Sequence, residues 1–261
     1  MTPKLWHWPA VLGWDAPVVA GFWYVLLTQS LTGRTGPLLW PLGFAVWATY
    51  LADRLVDLHL RPPDTDRTIR HRWARTHGKG FTLALAIMAT LAVVTAIPHW
   101  QNPLLFPGAG VALYGIIFVW PRRSTGPSQR WIKKIACGFL FALGVFTAAA
   151  GEQGFPAPAT LLTGMAFAAL CIANCLLIAA REGACYDSLP AMVAPIACAL
   201  GAAFLFALAG IRAMPRTAGA EMASVLLLSV LLVHQRRINP DTMRGLADGS
   251  LLTPILFLTF S

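Results

Sequence analysis

The sequence is poor in charge. Asp, Glu, Lys and Arg make up only 12% of its 261 residues, against about 25% in a soluble globular domain, so too few side chains are available to face water all round. Acids are scarcest, 11 against 20 Lys and Arg. Familiar catalytic signatures are missing as well: no Gly-x-Ser-x-Gly, His-Glu-x-x-His or Walker pattern occurs, and Gly108-Ala109-Gly110 lacks the third glycine of a dinucleotide loop. The cysteines Cys137, Cys171, Cys175, Cys185 and Cys198 are odd in number and show no Cys-x-x-Cys spacing. They read as small buried hydrophobes, not as a disulfide framework or a metal site. His59, His71 and His77 share one basic loop without the i, i+4 spacing of a helical metal pair.

What is abundant is apolar length. Hydrophobic residues make up 57% of the chain, in runs of about 16 to 23 residues, enough to cross a ~30 Å hydrocarbon layer as helix. The expected architecture is all-α: a polytopic membrane helical bundle of about nine transmembrane helices, forming a single integral membrane domain over residues 1–261. The spans are expected near 9–31, 36–52, 81–98, 103–120, 134–150, 158–180, 190–212, 219–234 and 246–261. The first apolar run carries Asp15 and continues to Leu31, so it is expected to stay as a span and not be cleaved as a signal peptide.

Nine spans put the N-terminus and the even-numbered connections on one side. All of the 20 Lys and Arg except Arg34, Arg212 and Arg216 fall on that side. By the positive-inside rule the N-terminus is cytoplasmic, in a multi-pass protein of the cytoplasmic membrane. The net charge of +9 is then a topogenic signal whose default partner is membrane lipids; nucleic acid is not needed to explain it. Trp40, Trp100, Trp120 and Trp131 fall at expected boundaries, where indole rings anchor a membrane interface.

Two acidic segments lie on the cytoplasmic side. The first is a loop, residues 53–80. If the second span continues as helix to about His59, Asp53 and Asp57 stand at i and i+4 on one face. Two carboxylates so placed repel unless a cation sits between them. Mg²⁺ suits such a pair, because it takes one or two carboxylates plus the oxygens of a substrate phosphate; Arg54 and Arg61 would hold the remaining phosphate charge. The alternative is that Asp53 and Asp57 pair with Arg54 and Arg61 in a solvated basic cap. The second segment, residues 181–190, carries Glu182 and Asp187. Both segments end a long span, so they can meet across the mouth of a bundle and hold a diphosphate; the alternative is an ordinary turn with Glu182 paired to Arg181. Asp15, near the cytoplasmic end of the first span, is either a functional intramembrane acid or the partner of a loop arginine. Asp248, four residues after Arg244, reads as a local helix ion pair.

Nine spans with acidic motifs after the second and sixth resemble the UbiA superfamily of intramembrane prenyltransferases. Those enzymes bind an isoprenoid diphosphate through Mg²⁺ held by an Asn-Asp-x-x-Asp-x-x-x-Asp motif and a second Asp-rich motif. Asp53 and Asp57 align with the end of the first motif, with Thr49 and Tyr50 standing where its Asn and first Asp belong. Glu182-Gly183 and Ser188-Leu189-Pro190 resemble a Glu-Gly-Asp form ending in Thr-Leu-Pro, with Ala184 in place of the Asp. Lys133 and Lys134 resemble the basic residue that opens the fifth span of the family.

The resemblance implies a divergent member in which Asp53, Asp57, Glu182 and Asp187 are the catalytic, Mg²⁺-binding set. Arg54, Arg61, Lys133, Lys134, Asn174 and Asp15 would contact the substrates, an isoprenoid diphosphate and a small lipophilic or aromatic acceptor. On the same fold the cation could close on itself, as in a terpene cyclase. The remaining alternative is a non-catalytic lipid-binding or assembly protein, whose acids only pair with its arginines.

Overall fold

A computed structural model describes residues 8–60, 69–101, 127–151, 157–182 and 189–258. Among them every regular element is a helix. A short α1 (Trp8–Leu12) leads into α2 (Asp15–Thr32) and α3 (Leu39–Leu60), followed by α4 (Ile69–Thr76) and α5 (Gly78–Ala96). After these come α6 (Pro127–Ala150), α7 (Pro158–Arg181), α8 (Leu189–Gly210), α9 (Pro215–His234) and α10 (Pro240–Gly249).

The ends of these helices follow from local chemistry. α2 opens on Asp15, whose charge suits the positive end of the helix dipole, and closes on Gly33 at φ 76°, a left-handed conformation that favours glycine. Prolines, which need no partner for a missing N–H, begin α7, α9 and α10. Asn239 caps α10 by accepting a bond from the Asp241 N–H at 2.9 Å.

Five stretches are long and apolar enough to cross a membrane: Gly78–His99, Ile132–Ala150, Pro158–Arg181, Met192–Gly210 and Pro215–Arg237. Their outward faces expose large apolar side chains such as Leu83, Val93, Leu205, Leu226 and Val233, an extended apolar surface of the kind that marks a membrane-contacting face. The chain is therefore a multi-pass membrane protein with five candidate spans. The expected nine are not all present in that form. α2 and α3 occupy the first two expected positions, but α2 carries Asp15 and Gln29, and α3 carries Asp53, Arg54 and Asp57. The expected span at 103–120 lies outside the described residues.

The ninth expected span is corrected. Instead of one helix over 246–261, the described part of that stretch holds the end of α10 and a 3₁₀ turn at Thr253–Leu256. Pro254 stands in the first turn of the 3₁₀ segment, and the segment is fastened inside the protein: the Trp23 indole N–H donates to Leu251 O at 2.8 Å.

α7 is the most buried of the five long helices. It packs against α6, α8, α9 and α10, while α2 bridges α3 and α6. The core runs between them through Trp23, Tyr24, Leu26, Phe167, Leu170 and Leu177, with Trp23 stacked on Phe167 at 4.5 Å between ring centres. A second, smaller cluster of Leu51, Ala74 and Phe81 ties α3, α4 and α5 together. These contacts bring the start of α2, the last turns of α3 and α7, α4 and α10 to one end of the bundle.

Candidate functional site

At that end the structure gathers three arginines and three acids, all largely buried. Arg244, on α10, is the centre. Its Nη1 donates to Glu182 Oε1 at 3.2 Å, its Nη2 donates to the Tyr50 hydroxyl, and its Nε lies 3.7 Å from Asp248 Oδ2 and 3.9 Å from Asp15 Oδ2. Arg70, on α4, donates to the other oxygen of Glu182. Arg54, on α3, bonds Ala10 O at 2.9 Å and the Tyr50 hydroxyl at 2.8 Å. Its guanidinium also lies over the Tyr50 ring, 4.8 Å from the centroid. Asn174, two turns before the end of α7, donates to Asp248 Oδ1 at 2.9 Å.

Local folding places each group. Gly13, at φ 75°, turns the chain between α1 and α2 directly over the Tyr50 ring, where a Cβ would collide. That turn delivers Asp15 to Arg244. Glu182 follows the last residue of α7, and Arg70 lies on α4, whose Ala74 and neighbour Phe81 anchor it in the smaller core cluster.

The electrostatics follow from burial. Burial works against charge on Glu182, but the Arg70 and Arg244 guanidiniums, with Lys134 behind them, outweigh it and hold the carboxyl down at about 2. Asp248 goes the other way: burial and then the Asp15 carboxylate push it up to about 7, against the pull of Arg244. Several buried donors remain unfilled. Arg54 Nε and Nη1, Arg70 Nε and Arg244 Nε have no hydrogen-bond partner among the described residues.

The expected site residues divide. α3 does continue as helix beyond Asp53 to Leu60, so Asp53 and Asp57 occupy successive turns; Asp57's carboxyl, Arg61 and Asp187 lie outside what is described. Asp53, at 32% exposure, faces Lys133 at 3.9 Å and stands apart from the arginine cluster's contacts. Asp15, Arg54, Asn174 and Glu182 do meet in that cluster.

Two expected pairings are corrected. Arg54 turns to Tyr50 and Ala10, while Asp53 beside it faces Lys133. Glu182 pairs with Arg70 and Arg244, while Arg181 donates to Ile238 O at 2.6 Å. Adjacent residues on a helix do not face each other, so neither Asp53–Arg54 nor Arg181–Glu182 is a natural pair. The expected pair of Arg244 and Asp248 is present, with Asp15 on the same nitrogen.

Sequence reasoning missed Tyr50, Arg70 and the central role of Arg244. The Tyr50 hydroxyl serves two guanidiniums, those of Arg54 and Arg244. Among the described residues no three His, Cys, Asp or Glu side chains form a metal cluster. Glu182 does not fit Mg²⁺, because each of its oxygens already receives a guanidinium. Asp53 fits better: it is partly open, with Asp57 one helical turn on, the one-or-two-carboxylate arrangement Mg²⁺ accepts alongside phosphate oxygens. Compared with family models and with curated proteins, the chain matches none.

Proposed function

We propose that this protein is an intramembrane prenyltransferase, moving an isoprenoid chain from its diphosphate to a small lipophilic or aromatic acceptor. One observation carries the proposal: buried guanidinium nitrogens on Arg54, Arg70 and Arg244, from three different helices, have no hydrogen-bond partner among the described residues at the end of the bundle where the acidic segments converge. Buried, unfilled cationic donors suit a compact anion, and a diphosphate offers several oxygens to them at once. Glu182 holds two of these arginines in place before the ligand arrives, so little reorganisation is needed on binding.

Asp53 and Asp57 would hold Mg²⁺, which would supply positive charge to the leaving diphosphate. The chain's own part is to orient that diphosphate with the arginines and to keep water from the isoprenoid among the apolar helices. The site would face the cytoplasm, with α2 and α3 as additional crossings and the N-terminus on the cytoplasmic side of the cytoplasmic membrane. A second reading also has an observation in its favour. Both oxygens of Glu182 are already taken by arginine, as a non-catalytic protein with self-paired charges would have them.

Thermal unfolding of the detergent-purified protein with geranylgeranyl diphosphate, with and without Mg²⁺, separates the two. At 100 times its dissociation constant the ligand should add about 2.7 kcal/mol to stability. That gain should require Mg²⁺ and vanish in the Asp53→Asn, Asp57→Asn double variant. Absence of any shift with this or shorter isoprenoid diphosphates would favour the non-catalytic reading.

A further inference from the structure

α9 completely buries Thr217, Glu221 and Ser224, and their spacing of four and three residues puts them on one helix face. The hydroxyls on this face reach across to other elements. Thr217 Oγ1 lies 3.0 Å from Ser30 Oγ on α2, and Ser224 Oγ lies 2.7 Å from Thr253 Oγ1. Thr253 uses its only hydroxyl proton on Ala220 O at 2.8 Å, so Ser224 is the donor of its pair and keeps its lone pairs free. Between the two pairs stands Glu221. Neither of its carboxyl oxygens has a hydrogen-bond partner among the described residues, and no described cation pairs with it. A carboxyl left this way inside a spanning helix is costly in either protonation state unless something occupies it.

We propose that Glu221, with the hydroxyls of Thr217 and Ser224, forms an intramembrane binding site for a monovalent cation of the Na⁺ class. The donors are all oxygens, which suit a hard cation and not a soft one. One carboxylate neutralises one positive charge; a divalent ion would leave a net charge in a dry site, at high cost. The site is separate from the arginine cluster. Ser30, which pairs with Thr217, lies fifteen residues beyond Asp15 on α2, a helical rise of about 22 Å, and Glu221 shares no described hydrogen bond or ion pair with the cluster, so the proposal does not rest on prenyl transfer.

Dicyclohexylcarbodiimide modifies protonated carboxyls in apolar surroundings, and a bound cation that displaces the proton protects them. The full-length protein in detergent would be treated at one mildly acidic pH, with Na⁺ or with choline at equal ionic strength, and modification at Glu221 read by peptide mass. Glu221 should be labelled in choline, and Na⁺ at ten times its dissociation constant should cut labelling about elevenfold. Thr217→Val and Ser224→Ala should keep the labelling and lose the protection. The wild-type comparison needs no substitution, so a misfolded variant does not obscure it. Equal labelling in Na⁺ and choline at every concentration would overturn the proposal and leave Glu221 a plain buried acid. Absence of labelling in choline would overturn it as well, since the carboxyl would then not exchange its proton.

Discussion

Glu182 and Asp248 sit in the same cluster and respond to pH in opposite directions. The Glu182 carboxyl is held at about 2 against an ordinary value of 4.5. Its contribution to stability is complete above pH 4.5 and is lost as pH falls towards 2. Thermal unfolding followed over that interval should show the decline, and Glu182→Gln should flatten it. The same substitution should cost roughly 3 kcal/mol at neutral pH, because it leaves Arg70 and Arg244 buried without their counter-charge. Asp248 is raised from 3.8 to about 7, so the protein is favoured while this acid is neutral and loses that contribution as pH rises from about 4 through 7. Unfolding midpoints of Asp248→Asn should lack this second slope. Its neutral amide keeps a polar group beside Asn174, and a variant that retained the full wild-type slope would place the titration elsewhere.

A close backbone-to-backbone helix contact tests the packing between elements. A Cβ on Gly138 of α6 would come within 2.7 Å of the Cys171 carbonyl and the Ile172 Cα on α7. These are backbone atoms and cannot swing aside. Gly138→Ala should therefore push the two helices apart and lower stability by about 1–3 kcal/mol in thermal unfolding. Gly144→Ala, six residues along the same helix, meets nothing within 4 Å and should be neutral or gain up to about 1 kcal/mol from better helix propensity.

The positions of α2, α3 and α5 to α9 were legible in the sequence because long apolar runs leave few other solutions in lipid. The partners of their polar residues were not. Arg54 lies beside Asp53 in the chain, yet its helix neighbour at i−4 is Tyr50, and the hydroxyl wins. The bond between Arg244 and Glu182 spans 62 residues and depends on how α10 docks, for which no local signal exists. Glu221 did leave a signal, as the single acid of a long, largely apolar helix.

At the scale of the whole molecule, orientation is the property most open to a direct check. With native cysteines replaced, a single cysteine at Arg212 should react with a membrane-impermeant thiol reagent in intact cells. One at Arg72 should react only after permeabilisation, and the reverse pattern would invert the proposed topology. Hydropathy alone misjudged residues 246–258, because it cannot distinguish burial against lipid from burial against protein. Leu251 and Pro254 are buried against protein, with Trp23 and Ser224 fastening their neighbourhood. The docking of this segment also gives the polar cluster a history. Helices emerge from the ribosome in order, so α2, α3 and α7 are made before α10. During that interval Asp15 has no Arg244 and Asn174 has no Asp248, and the arginine cluster is completed only when the late segment folds back. A nascent chain interrupted before Pro240 would thus be an unfinished bundle with exposed polar ends, recognisable to membrane quality control, and not a weakened version of the same protein.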